Sequence, residues 1–185
     1  MILITSFFND STLRIAPKLL GKFLVRKIGK RRIEGIITEV EAYVGPYDRA
    51  SHASRGKTPR TEVMFGKPGY WYVYLVYGMH HCLNIITERE GYPAAILIRS
   101  VGVEADPRGS IRGFTQMITG PGRVCKYFKI DKRFNKMSAN KKSGLWIEDR
   151  GIRISARDIK RGKRIGVDYA GKWRNKPWRF FFANV

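Results

Sequence analysis

The stretch TEVEAYVGP, residues 38–46, sets two carboxylates and a phenol at alternate positions: Glu39, Glu41 and Tyr43. Side chains alternate across a strand, so these three share one face, while Ile36, Val40, Ala42 and Val44 share the other, core-like one. Gly45-Pro46 ends the strand, and ligand sites favour strand ends and the loops that leave them. Two readings of the acidic pair stand at this level. Glu39 and Glu41 either pair with surface Arg or Lys across a sheet, or they do chemistry in a cleft. Arg99 bears on the choice. It interrupts the apolar run AAILIRSVGV, where burial without a carboxylate partner would be costly. A glutamate held beside an arginine is expected to stay ionised at neutral pH, and an ionised glutamate in a cleft can act as a general base toward water.

A second chemistry-bearing stretch is YWYVYLVYGMHHCLN, residues 70–84. It reads as a hairpin turning at Tyr77-Gly78-Met79, with Gly78 supplying the positive φ that tight turns need. With the facing of a two-residue turn, Trp71, Val73, Leu75 and Tyr77 are expected on one side with His80, Cys82 and Asn84. Tyr70, Tyr72, Tyr74 and Val76 then share the other with His81, Leu83 and Ile85. Most of these rings suit a core. Tyr77 lies at the tip, where an aromatic is hard to bury within the same chain, and a tip aromatic can wedge between base pairs. The histidines offer no metal site: His80 and His81 are adjacent and point to opposite faces, and His52 is distant, in the polar loop DRASHASRG. No H-E-x-x-H or C-x-x-C motif occurs, so no metal is expected.

The whole chain frames these residues. Lys and Arg number 36 against 15 Asp and Glu, a formal charge of +21 with a sequence pI near 10.4. Such a field attracts polyanions, nucleic acid first. No apolar run approaches about 18 residues, and no basic leader precedes an apolar stretch at the N-terminus. A non-secreted, cytoplasmic protein, nucleoid-associated if bacterial, with no membrane partner is expected. Cys82 and Cys125, the two cysteines, do not make a disulfide framework. A single domain over residues 1–185 is expected, of α+β class: a largely antiparallel sheet with a few helices. NDSTLRIAPKLLG opens with capping residues and stops at Gly21, which predicts a short helix. KFLVRKI and residues 33–44 predict paired strands. GPGRVCKYFKI predicts a helix opened by Gly120-Pro121-Gly122, and LWIED, GIRISARDI and WRFFF predict further strand.

Four segments, EVEAYVGPYDRASHASRGKTPR, MFGKPGYWYVYLVYGMHHCLNI, AAILIRSVGV and GVDYAGKWRNKPWRF, together resemble the alkyladenine (3-methyladenine) DNA glycosylase family of methylpurine type. The resemblance runs in order from about Ser11 to the C-terminus. It implies a curved sheet with a protruding hairpin that inserts into DNA. It also implies a monofunctional enzyme that flips alkylated or deaminated purines, such as 3-methyladenine, hypoxanthine or ethenoadenine, out of duplex DNA. Hydrolysis of the N-glycosidic bond then leaves an abasic site, with no cofactor, no metal and no covalent lysine intermediate. The partner implied is damaged double-stranded DNA, and a monomer is expected.

Carried over by motif, the resemblance makes Glu41 the water-activating residue, Glu39 its support and Arg99 the arginine beside the water. Tyr43 and His52 become walls of the base pocket, Tyr74 a lining residue, and Asn84 the side chain that crowds the 2-amino group of guanine. Tyr77 becomes the intercalating residue and Met79 its neighbour reaching into the opposite strand. Lys57, Arg60, Lys67 and Arg123 are candidate phosphate contacts, each individually also readable as a solvated surface charge. A non-catalytic minor-groove binder using Tyr77 as a wedge is the alternative reading, and charge alone would also suit a ribosomal or RNA-modification protein.

Overall fold

Apolar residues at helical spacing fold Thr12–Leu19 into helix α2, which follows the single turn α1 (Thr5–Phe8) and buries Ile15, Ala16 and Leu19. Gly21, at φ 81°, takes the chain out of the helix and hands its N–H to the carbonyl of Ile37. The strands are β1 (Phe23–Ile28), β2 (Arg31–Tyr43), β3 (Trp71–Val76), β4 (His80–Ile86), β5 (Ala95–Val103), β6 (Gln116–Thr119), β7 (Leu145–Glu148), β8 (Lys160–Gly162) and β9 (Arg179–Phe181). Helix α3 (Pro121–Tyr127) starts after Gly120 with proline in its first turn, where the missing N–H has no cost. The computed structural model describes residues 1–103, 114 and 116–182.

Every described strand pairing is antiparallel, in the order β3-β4-β5-β2-β1-β7, with β6 added to β5 and the β9–β8 pair added to β2. This is the expected α+β class, a curled antiparallel sheet with few helices. The curl has a local cause. Ile37 faces Val101, Glu39 faces Ser100 and Val40 faces Ile98, so Thr38 on β2 and Arg99 on β5 have no opposite residue. Two bulges therefore sit side by side on the central pair, and bulges bend strands and steepen their twist. The sheet forks there: β5 leaves β4 after Leu97 and takes up β6 at Ser100, while β2 leaves β1 after Ile36 and takes up β9 at Glu39. The carbonyls of the two extra residues are met by Phe182 N–H, at 3.2 Å from Thr38, and by Gly120 N–H, at 2.9 Å from Arg99.

Two expectations are corrected. The hairpin loop has three residues, Tyr77–Met79, with Val76 opposite His80, and this reverses the expected facing. Directly opposed residues share a face, so Tyr72, Tyr74 and Val76 stand with Asn84, Cys82 and His80. Trp71 and Val73 stand with Leu83 and Ile85 against the main core. An odd loop flips the parity that a two-residue turn would set. The second correction is GIRISARDI: residues 151–159 form no strand, and the next strand is Lys160–Gly162. Ile152 and Ile154 pack against Gly21, where their side chains leave 3.1–3.2 Å to a Cβ position. Alternating apolar residues there serve packing without a ladder.

Candidate active site

Residues opposed across neighbouring strands form a row, and one row spans four strands here. Tyr72 faces Asn84, Asn84 faces Leu97, and Leu97 faces Glu41. The rows beside it bring in Tyr74 with Cys82 and Tyr43 with Ala95. This sheet face is the floor of a cavity of about 420 Å³. The loop after β2 supplies Ser51, His52 and Arg60 as one wall, and Ile165 to Val167 with Tyr169 supply another. Tyr43, Tyr74, His52, Asn84 and Arg99 all line the cavity, so the residues expected in the pocket are brought together.

Glu41 lies one layer beneath the lining, with 0% exposure. Its Oε1 accepts from the Ile165 N–H at 2.8 Å and its Oε2 from the Tyr43 hydroxyl at 2.9 Å. Arg99 Nε stands 3.5 Å from Glu41 Oε1 and donates to Glu39 Oε1 at 3.3 Å, so the expected carboxylate partners are found. The two bulges create this contact by placing Arg99 beside Glu39. Glu39 also accepts from Ser100 Oγ at 2.8 Å and from Arg179 at 3.2 Å, so it acts as the anchor of the cluster. Burial pushes the Glu41 carboxyl up from its ordinary range, and Arg99, the Ile165 N–H and the Tyr43 hydroxyl oppose that rise.

The rings are held without charge. His52 Nδ1 lies 3.0 Å from the Tyr72 hydroxyl, and its ring meets Tyr74 edge to face at 4.6 Å. Burial first, then the cations Arg60 and Arg55, lower its pKa to about 4, so His52 is neutral at physiological pH. Burial also drives the phenols of Tyr43 and Tyr74 well above the usual tyrosine range. Asn84 is buried, its amide tied by Nδ2 to the Tyr72 carbonyl at 3.1 Å.

Tyr77 lies at the cavity mouth with 88% exposure, and Met79 beside it is 73% exposed. Tyr77 takes φ 52°, the left-handed region that a residue with a Cβ enters only at a cost. Lys57, Lys67 and Arg123 are exposed and outside the cavity lining, whereas Arg60 belongs to it. Among the described residues no cluster of three His, Cys, Asp or Glu could hold a metal ion, and no helix is long and apolar enough to cross a membrane.

Sequence reasoning missed the pair that fixes this arrangement. Arg164 and Asp48 have fully buried side chains and form a bidentate bridge, with Nη2 2.8 Å from Oδ1. Asp48 accepts from the N–H groups of Val44 and Ala50, each at 3.1 Å, and Arg164 donates to the Ala42 carbonyl at 2.9 Å. The guanidinium lies 4.8 Å from the Tyr43 ring centroid and 5.0 Å from that of Trp178. Arg164 thus backs Tyr43 and positions its neighbour Ile165, whose N–H reaches Glu41. Arg164 sits in the cation-rich run KRGKRIG, where nothing distinguishes it from a solvated charge.

The family model described as methylpurine-DNA glycosylase (MPG) matches residues 6–185. Among curated relatives, one from Methanocella arvoryzae is 41% identical over 99% of this chain and 93% of its own length. One from Ehrlichia chaffeensis is 42% identical over 100% of this chain and 94% of its own. One from Myxococcus xanthus is 43% identical over 95% of this chain and 87% of its own. Each of the three bears the name "Putative 3-methyladenine DNA glycosylase".

Proposed function

Because the chain belongs to the methylpurine-DNA glycosylase family, hydrolases of N-glycosyl bonds in DNA, we propose that it flips damaged purines out of the duplex and releases them with water activated by Glu41. The observation that carries this reading is the buried Glu41 carboxylate one layer beneath the lining of an aromatic cavity, held by Arg99, Ile165 N–H and Tyr43 hydroxyl. A carboxylate desolvated to this degree costs stability, and a base poised upward from its ordinary pKa is the return on that cost.

In this reading the base enters between Tyr43 and His52, with Tyr74 and Asn84 beneath it. Rings kept neutral suit a cationic alkylated purine through cation–π attraction. Asn84, tied by its amide, is too fixed to yield to an added 2-amino group. Water reaches Glu41 past Arg99 and Ile165, both of which line the cavity. Its oxygen bonds to C1′ as the bond from C1′ to N9 breaks, the electron pair leaves with the purine, and the water proton passes to Glu41. The carboxylate also stabilises the oxocarbenium-like sugar. Tyr77 and Met79, on the exposed loop, fill the vacated stack, since opening one costs on the order of a few kcal/mol. Lys57, Lys67 and Arg123, exposed outside the cavity, serve as phosphate contacts.

The test is Glu41→Gln on duplexes carrying a hypoxanthine, an ethenoadenine or an alkylated purine, with alkali used to reveal abasic sites. Lesion-DNA binding is expected to survive while base release falls by at least about a thousandfold, within the range of general-base and electrostatic contributions combined. Unchanged release removes Glu41 from the mechanism. Binding with no release by the native protein favours a non-catalytic binder, and strand nicking without alkali contradicts the monofunctional reading.

A further inference from the structure

Arg60 is more closely placed than a phosphate contact requires. The turn that carries it is pinned from both sides: Thr61 Oγ1 donates to the Gly56 carbonyl at 2.9 Å, Thr58 N–H donates to Thr61 Oγ1 at 2.8 Å, and Thr61 N–H returns to the Thr58 carbonyl at 3.0 Å. Thr61 is buried, so the turn is anchored, and Arg60 reaches from it over the Tyr74 ring at 5.2 Å from the centroid. The side chain lines the cavity beside His52, Tyr72 and Tyr74. Among the described residues no carboxylate lies within salt-bridge reach of it. The site carboxylates are already engaged, Glu39 by Arg99 and Arg179, Glu41 by Arg99, and Asp48 by Arg164.

A permanent cation in the wall of a base cavity distinguishes leaving groups by charge. A cationic alkylated purine leaves as a neutral molecule once C1′–N9 breaks, and it needs no help with its electrons. A neutral purine such as hypoxanthine leaves with the bonding pair as an anion, and charge develops on its ring as the bond lengthens. A guanidinium cannot supply a proton, because it stays protonated in proteins, but its five N–H donors can hold an anionic purine edge. Preorganised donors aimed where charge develops are the usual device for lowering such a barrier.

We propose that Arg60 is the leaving-group residue for neutral purines: its guanidinium donates to the acceptor edge of the flipped base and stabilises the purine anion as the bond from C1′ to N9 breaks. The pair stays on N9, the water oxygen takes C1′, the water proton goes to Glu41, and solvent later protonates the released anion. The inference rests on the glycosylase reading above.

The experiment compares single-turnover release of hypoxanthine and of 3-methyladenine by native protein, Arg60→Met and Arg60→Lys. Arg60 is exposed, and circular dichroism is to check that the variants fold. Arg60→Met is expected to lower the ratio of hypoxanthine to 3-methyladenine release by about tenfold or more, a factor equal to about 1.4 kcal/mol. Arg60→Lys, which restores charge without the planar fork, should recover part of the ratio. An unchanged ratio overturns the inference. If both rates fall together and the slope of log binding against log salt drops by about one, Arg60 is a phosphate contact. Release of 3-methyladenine alone by the native protein also overturns it while leaving the glycosylase reading in place. Release of neither base by the native protein defeats that reading instead.

Discussion

Asp48→Asn, Arg164→Met and the double variant test whether the buried bridge fixes the site. Both side chains have 0% exposure. Removing one partner leaves the other charge buried and uncompensated, which costs about 3–5 kcal/mol. The double variant buries no charge. It loses chiefly the donors to the Ala42 and Trp173 carbonyls, at about 1 kcal/mol or slightly more each. The double should therefore be no less stable than either single variant, and its cost should fall at least ~2 kcal/mol short of their sum. A domain of this size loses about 2–4 °C of melting temperature per kcal/mol, so each single variant should melt about 6–20 °C lower. Urea and thermal melts give the cycle. Base release by the folded double variant supplies the functional arm. It should be impaired at temperatures where no unfolding is detected, because Arg164 no longer positions the Ile165 N–H that reaches Glu41. Additive single effects below about 1 kcal/mol each would refute the stability argument. Full release by a folded double variant would refute the link to Glu41.

Two further outcomes follow from the geometry of Tyr77 and His52. Tyr77→Ala should lose at least about tenfold in release from duplex DNA and much less from single strands, since only the duplex must be held open. Tyr77→Gly, which removes the Cβ at φ 52°, should in addition raise stability by roughly 1 kcal/mol. Equal activity losses on both substrates would argue against a wedge. His52 has a folded-state pKa near 4 against an ordinary 6.5, so between these values the unfolded chain binds more protons than the folded one. The corresponding stability is complete above pH 6.5 and is lost as pH falls toward 4. Melts of His52→Gln across that window should show a shallower acid loss than the native protein, and parallel curves would contradict the burial assigned to His52.

The chemical residues were legible because they are the wrong types for their surroundings. Glu39 and Glu41 alternate with the apolar Val40 and Ala42, Arg99 interrupts the run AAILIRSVGV, and a buried charge demands a partner whichever way the strands are drawn. Their meeting depends on the paired bulges at Thr38 and Arg99, which no residue type announces. The hairpin shows a second limit. Gly78 located the turn, but a loop of two or three residues decides which face Tyr74 shares, and either length is compatible with the sequence. Residues 151–159 alternate as a strand would and form none, since alternation records which side chains are buried and says nothing of where the backbone finds partners. Arg164 was hidden by abundance: in a chain with 36 Lys and Arg, one buried arginine carries no local mark.

That abundance also separates two electrostatic tasks. Across the chain the charge is +21, yet the acids of the site are matched one by one: Glu39 and Glu41 with Arg99 and Arg179, Asp48 with Arg164. A site left as positive as the surface around it would hold a phosphate as readily as a base, and would depress the basicity that the role proposed for Glu41 needs. Pairing the site arginines with carboxylates removes that competition at the floor, while the exposed cations outside the cavity keep the long-range attraction for DNA. Burial then governs Glu41, which its neighbours restrain without overturning. Among the described residues, Arg60 is the one arginine of the cavity lining without a carboxylate partner, and the leaving-group role proposed for it draws on that.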